Sequence, residues 1–182
     1  NELYKKYHFK LGLSEYDSTN LTESKEIALY FEKMISITKN YKAAANWVMG
    51  SIKSYLNQTA TSINEFPICP EHMVTLIEMI DSGSISNSLA SQQLFPQMLK
   101  TPTDSPEKIA ETKGWLSQND ENELENIILT IFKENPEETT RFKSGEKKLT
   151  GFFMGKIMKA SKGTADPKKS SALLNKLVHN EN

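Results

Sequence analysis

An amphipathic stretch at residues 149–163, closed by a glycine and followed by Asp166-Pro167, constrains the fold of this chain more than any other feature. Gly163 is predicted to end a helix in the left-handed conformation that β-carbons disfavour. Asp166 and Pro167 are predicted to be the N-cap and first residue of the next helix. At about 100° per residue, the apolar side chains of the first helix share one arc, the side that faces a core. They are Leu149, Phe152, Phe153, Ile157 and Ala160.

A second arc of the same predicted helix carries lysines around a glycine. We call this set the lysine ridge; it consists of Lys148, Gly155, Lys159 and Lys162. Because Gly155 has no side chain, a phosphate backbone could approach the helix closely at this point. A glycine in a helix interior costs ~1 kcal/mol relative to alanine, so a contact or a packing reason is expected here.

The remaining sequence shows helical periodicity and lacks the alternating pattern and hairpin turns of strands, so we predict an all-α protein. Trp47, beside small alanines, is predicted to lie in the core. Ser86 is expected to cap a helix that Pro96 ends or kinks, because proline removes an amide donor and clashes with the preceding turn. Three earlier helices are predicted from a cap at Thr22 to about Lys39, from Tyr41 to Asn57 and from Pro70 to Gly83.

A segment with two prolines, Thr101–Pro106, predicts a domain boundary, since it is stiff and contains no core-forming residue. We predict a helical domain over 1–101, a linker over 102–106 and a small helical-bundle tail domain over 107–182. Within this tail, the first long helix is expected to start at 117–120 and Asn135-Pro136 to begin the next helix.

Composition limits the protein class. Of 182 residues, 37% are hydrophobic, and no apolar run approaches the ~20 residues that cross a bilayer. Cys69 is the only cysteine, which excludes a disulfide framework and favours the reducing cytoplasm. The first residues include neither an initiator Met nor a signal peptide, which is typical of a segment from inside a longer chain.

Charge is divided unevenly along the chain. Residues 141–182 contain 10 Lys and Arg against three Asp and Glu, a formal charge of +7, whereas residues 1–140 carry −8. A basic end on an acidic body indicates that one end meets a polyanion. A solvated lysine face is the alternative interpretation.

The sequence offers little catalytic chemistry. His8, His72 and His179 are isolated, and no Cys/His set has metal-ligand spacing. Phosphate-binding loops, dinucleotide fingerprints and nucleophile elbows are missing as well. The acidic run at 120–125 is interpreted as a solvated helix start. We therefore predict no catalytic residue and no metal site.

Lysine, not arginine, dominates the basic end. Lysine attracts phosphate as a point charge and does not read bases with two hydrogen bonds, so backbone and shape recognition is expected. The helix starts at Pro136 and Pro167 are expected to add free amides for a phosphate. Lys156 projects near the apolar arc and is expected to lie along it instead of joining the ridge. The set is Lys143, Lys147, Lys148, Lys156, Lys159, Lys162, Lys168 and Lys169.

Residues 155–168, Gly-Lys-Ile-Met-Lys-Ala-Ser-Lys-Gly-Thr-Ala-Asp-Pro-Lys, resemble the YqeY-type tail of aspartyl/glutamyl-tRNA amidotransferase B subunits. The resemblance covers nearly the whole chain. Two positions depart from the family pattern, because Lys156 replaces a usual glutamine and Ser91 stands where a lysine is usual. Upstream segments in the family's order are 12–17, 30–32, Asn46-Trp47, Ile85-Ser86 and Asn135-Pro136.

The resemblance implies that this chain is the tRNA-binding, carboxy-terminal region of the B subunit in a cytoplasmic complex. The complex makes Gln-tRNA(Gln) or Asn-tRNA(Asn), and the sequence does not distinguish between these two products. ATP and Mg²⁺ would act in an upstream domain outside this chain, and glutamine hydrolysis would occur on another subunit. Implied partners are tRNA(Gln) or tRNA(Asn) and the A and C subunits, without DNA or membrane. The competing hypothesis is a non-catalytic helical protein-interaction module. The expected tRNA contacts are Lys143, Lys147, Lys148, Gly155, Lys159, Lys162, Gly163 and Lys168.

Overall fold

The structure, a computed structural model, describes residues 1–117 and 121–179. Over these residues it is all-α, as predicted, and contains no strand. Wider π-helical turns occur at Lys6–Lys10, Val48–Ile52 and Ala90–Leu94, and 3-10 turns at Ile63–Glu65 and Lys147–Leu149. The α-helices are α1 (Glu2–Lys5), α2 (Glu15–Asn20), α3 (Lys25–Ile37), α4 (Tyr41–Trp47), α5 (Lys53–Thr59), α6 (Pro70–Asp81), α7 (Asn87–Leu89), α8 (Phe95–Lys100), α9 (Pro106–Lys113), α10 (Glu121–Glu134), α11 (Pro136–Lys143), α12 (Thr150–Ala160) and α13 (Pro167–His179).

The described residues form two compact units. The first unit comprises Asn1–Asp81 and Ser91–Ile109, and the second comprises Ser82–Ala90 and Ala110–Asn182. The predicted linker 102–106 thus lies within the range of the first unit, and a short segment before it groups with the tail. Whether the chain divides into separately folding domains at 102–106 stays a prediction.

In the first unit, α3, α4 and α6 pack against one another. Ala44 and Ala45 of α4 are fully buried, which allows the close helix approach that their small side chains predict. Trp47 is buried, and its ring lies 5.5 Å from that of Phe95. The prediction of a core tryptophan is confirmed.

Ser24, not the predicted Thr22, caps α3. The Ser24 hydroxyl accepts a hydrogen bond from the Ile27 amide at 3.3 Å. The Thr22 hydroxyl instead donates to the Ser18 carbonyl at 2.8 Å, which ties it to the preceding helix. Both residue types cap helices well, so the preceding turn decides which of them is used.

Pro96 does not end its helix, because α8 continues to Lys100. Ser86 caps the start of this helical region as predicted, with its hydroxyl 3.1 Å from the Leu89 amide. The π-helical turn Ala90–Leu94 lies directly before Phe95-Pro96. Such a turn changes the local hydrogen-bond pattern where proline removes a donor, and the predicted kink at Pro96 stays a prediction.

Phe153 is the centre of the core in the second unit. It is fully buried, and its ring lies 5.4 Å from Phe132 of α10 and 5.0 Å from Phe142 of α11. These contacts join three helices around one side chain. The predicted start at Asn135-Pro136 is confirmed by α11, whereas most of the predicted start at 117–120 lies outside the described residues. The cluster comprises Leu124, Ile128, Ile131, Phe132, Phe142, Phe153, Ile157, Ala165, Leu173 and Leu174.

Candidate nucleic-acid interface

Helix α12 has one buried side and one open side. Phe153 and Ile157 are fully buried, as predicted for the apolar arc. Ala160 is exposed, so its predicted place in the core is wrong; α12 ends at this residue. On the open side, Gly151, Gly155 and Lys159 follow one another at four-residue spacing and are all exposed. Residues four apart lie on the same face of a helix, so this face carries bare backbone beside a lysine.

Neither glycine on the open face is required by the packing of the described residues. A β-carbon added at Gly151 or at Gly155 would meet none of their atoms within 4 Å outside the adjoining helix backbone. Alanine would therefore fit at both places and would favour the helix. Gly151 was not among the predicted contacts, although its four-residue spacing from Gly155 was visible in the sequence.

Lys147 and Lys148 lie in the 3-10 turn before α12 and are exposed. A 3-10 turn rotates by about 120° per residue instead of about 100°, which changes the angle between Lys148 and Gly155 only slightly over so few residues. The predicted common arc of Lys148 and Gly155 stays a prediction. Both lysines adjoin the first turn of α12.

Lys162 lies outside the predicted helical arc, because α12 ends before it. Its φ is +54°, and the following Gly163 has a φ of +79°. The Lys162 amide donates to the Lys159 carbonyl at 3.1 Å, and the Gly163 amide to the Met158 carbonyl at 2.8 Å. This pair of bonds is a Schellman motif. The left-handed Gly163 is confirmed, but the turn starts one residue earlier, at the lysine.

The helix start at Pro167 has no free amide to offer a phosphate. One carboxylate oxygen of Asp166 accepts from the amides of Lys168 at 2.8 Å and Lys169 at 3.2 Å. The Asp166 carbonyl accepts from the Ser170 amide at 2.9 Å. The predicted N-cap is confirmed, and the predicted anion site at this helix end is wrong because the cap occupies it.

The helix start at Pro136 is flanked by carboxylates. Glu137 and Glu138 lie in the first turn of α11, where they complement the helix dipole and would repel a phosphate. The Asn135 side chain does not cap this helix; its amide donates to the Ile131 carbonyl at 2.8 Å. Neither helix start therefore supports an anion site. Contacts to phosphate would have to come from lysine side chains instead.

Two of the predicted lysines lie over aromatic rings. The Lys143 ammonium is 5.7 Å from the centre of the Phe132 ring, and that of Lys156 is 5.5 Å from the Phe152 ring. These distances are within the range of cation–π attraction. The position of Lys156 agrees with the prediction that it lies along the apolar side of α12.

Five of the predicted lysines form no ion pair with any side chain that the structure describes. Arg141 bonds Glu146 at 2.8 Å, and this contact raises the pKa of Arg141 and occupies the Glu146 carboxylate. Among the side chains that the structure describes, none forms an ion pair with the remaining predicted contacts, and all of these are exposed. They are Lys147, Lys148, Lys159, Lys162 and Lys168.

Elsewhere in the described residues, the structure contains no cluster of three His, Cys, Asp or Glu side chains that could hold a metal ion. No helix among them is long and apolar enough to cross a membrane.

The chain is similar to known proteins of one family. Residues 29–178 match the family model described as the GatB domain. The aspartyl/glutamyl-tRNA(Asn/Gln) amidotransferase B subunit of Crocosphaera subtropica is 38% identical over 175 residues. Its counterpart in Persephonella marina is 37% identical over 174 residues, and that in Thermoanaerobacter sp. is 40% identical over 163 residues.

The alignments cover 96%, 95% and 90% of this chain in the same order. They cover only 35%, 36% and 34% of the relatives. The chain thus spans about a third of the length of these proteins. Because the family model matches most of its residues, the chain belongs to the GatB domain family.

Proposed function

We propose that this chain is the carboxy-terminal, tRNA-binding region of a B subunit of the tRNA-dependent amidotransferase. The relatives are named for tRNA(Asn) and tRNA(Gln), and one of these is the proposed ligand. The observation that carries the proposal is the open face of α12. There, two exposed glycines that the chain itself does not require adjoin exposed lysines without ion-pair partners in the described structure.

The arrangement suits an RNA backbone better than a base. A helix face without β-carbons allows phosphates and riboses to approach the helix backbone, and ammonium groups at its edges neutralise the phosphates. Lysine positions a nucleic acid without specifying its sequence. A structured RNA such as tRNA would therefore be recognised by its shape and the path of its backbone.

The proposal assigns chemistry to other parts of the complex. ATP and Mg²⁺ would act in an upstream domain, and ammonia would come from glutamine on another subunit. The A and C subunits would be partners of the full-length protein, in the cytoplasm. This chain would hold the tRNA body while its acceptor end is amidated elsewhere.

A binding titration with glycine variants tests the proposal. The full chain is titrated with tRNA at two salt concentrations, alongside Gly155→Ala and Gly155→Asp. We expect salt-sensitive binding by the wild-type chain, weaker binding by Gly155→Ala because its methyl group blocks close approach, and weakest binding by Gly155→Asp. Since both side chains would point into open space, circular dichroism should show intact helices.

The glycine variants also separate binding from stability. Gly155→Ala should raise the free energy of unfolding by about 0.5–1 kcal/mol, because alanine favours a helix and meets no clash. A variant that is more stable but binds less tRNA would show that the glycine serves the ligand. Undetectable binding by the wild-type chain, or unchanged binding by Gly155→Asp, would contradict the proposal.

Exposed apolar side chains in the first unit favour a second candidate function, contact with protein. Phe9 is 75% exposed and Tyr16 is 71% exposed. Large exposed aromatic groups are common in protein interfaces. Phe9→Ser with Tyr16→Ser should weaken binding to the A and C subunits and leave tRNA binding unchanged. Loss of tRNA binding in this variant would argue against the division of roles.

A further inference from the structure

Lys162 occupies a backbone position that favours glycine. Helix α12 ends at Ala160, Ser161 follows as the C-cap, and Lys162 is the next residue, with φ +54°. In a Schellman motif this residue is left-handed and is usually glycine, because a β-carbon crowds the carbonyl oxygen in that conformation. Here the glycine comes one residue later. A lysine thus adopts a strained conformation while Gly163 beside it is free of that strain.

Hydrogen bonds hold the backbone of this turn in place. The Ser161 hydroxyl accepts from the Ala165 amide at 3.1 Å, and the Thr164 hydroxyl donates to the Ser161 carbonyl at 2.6 Å. Ser161 and Thr164 are both buried. The turn is therefore fixed by its neighbours, and Lys162 cannot relax to a right-handed conformation without breaking these contacts.

The helix dipole does not explain the lysine. A cation near the carboxyl end of a helix is favourable, but Lys159 already supplies one in the last turn of α12. Lys162 is exposed and forms no ion pair with a side chain that the structure describes. Among the described residues, the Lys162 side chain has no ion pair that would offset this backbone cost.

We propose that Lys162 is a phosphate contact whose position is fixed by this strained turn. The turn places Lys162 beyond the end of α12, whereas Gly155 and Lys159 lie within the helix. Strain of this kind persists where the surrounding structure enforces it and is concentrated at functional sites. The inference rests on the proposed tRNA-binding function and adds that stability is lost at this residue in favour of the ligand.

Ala60 provides a matched control. It is the only other non-glycine residue with positive φ in the described part of the chain, at +53°, and it also follows the end of a helix, α5. It lies in the first unit, carries no charge and has no proposed contact. Replacing it by glycine removes similar strain without removing a cation.

The test measures stability and tRNA binding for Lys162→Gly, Lys162→Arg and Ala60→Gly in the full chain. Both glycine variants should raise the melting temperature by a few degrees, because glycine removes the strain of the left-handed conformation. Only Lys162→Gly should weaken tRNA binding, with the slope of log affinity against log salt falling by roughly 0.7–0.9. Lys162→Arg should keep the slope and should not gain stability.

The other possible results contradict the phosphate contact, the strain at Lys162 or the proposed function, as follows. If Lys162→Gly is stabilised and binds tRNA with an unchanged slope, Lys162 is not a phosphate contact. If Lys162→Gly is not stabilised although Ala60→Gly is, the lysine is not strained. If replacing Lys147, Lys148 and Lys159 weakens tRNA binding but replacing Lys162 does not, the proposed function stands and this inference fails. If the wild-type chain does not bind tRNA, both fail.

Discussion

Phe153 is the residue on which the second unit depends most. Its fully buried ring contacts aromatic rings from two other helices. Phe153→Ala should lower the free energy of unfolding by about 3–5 kcal/mol, because it removes a large core side chain and leaves a cavity. Denaturant unfolding measures this loss. Phe152→Ala is the control: Phe152 is only half-buried, so a loss equal to that of Phe153→Ala would contradict the central role of Phe153.

For single residues, the sequence predicts burial better than it predicts backbone conformation. The helical period identified Phe153 and Ile157 correctly, because burial follows from apolar spacing. It misplaced Ala160 and Lys162, because the period assumes that the helix continues. Helix α12 stops through a turn whose hydrogen bonds involve Ser161 and Thr164, and residue types alone do not show that a lysine will take the left-handed position.

Asp166 determines how helix α13 begins. Its carboxylate caps two amides, and replacement by alanine would leave both without this partner. Asp166→Ala should therefore lower the free energy of unfolding by about 0.5–2 kcal/mol, measured in denaturant. Asp166→Asn, which keeps a capping oxygen, should cost much less. Equal losses for both variants would show that the cap does not depend on the side-chain oxygen.

The sequence predicts which helices exist better than their internal hydrogen-bond pattern. Caps at Ser86 and Asp166 and helix starts at Pro70, Pro136 and Pro167 were all predicted correctly. The π-helical turns were not predicted, and Pro96 was expected to end or kink its helix. A wider turn has no residue signature of its own in this chain. Of the three turns, only Ala90–Leu94 lies beside a proline that removes an amide donor.

The chain segments that make up the second unit give a prediction about fragments of this protein. Segment Ser82–Ala90 groups with the tail, and the Ser117 amide donates to the Ser84 carbonyl at 2.7 Å. A fragment that starts at residue 82 keeps this bond, whereas one that starts at the predicted boundary, residue 107, loses it. The longer fragment should melt at a higher temperature. Equal melting temperatures would show that segment 82–90 contributes nothing to the tail.

At the scale of the whole molecule, the family, the all-α class and the basic end were accessible from the sequence. The grouping of 82–90 with the tail was not, because this pairing depends on contacts between residues far apart in the chain. Similarly, the occupied amides at Pro167 depend on where one carboxylate points. Local patterns reveal helices and charges, but only the fold shows which groups already have partners.

The salt dependence of tRNA binding tests the central claim most directly. Lys147, Lys148 and Lys159 are replaced together by alanine, and Lys25, Lys39 and Lys42, which are exposed lysines of the first unit, are replaced in a control of equal charge change. Each lost phosphate contact lowers the slope of log affinity against log salt by roughly 0.7–0.9, so the first triple variant should lose about 2–3 units. The control should lose none. Equal slopes for the wild-type chain and both variants would contradict the claim that the lysines beside α12 bind the tRNA backbone.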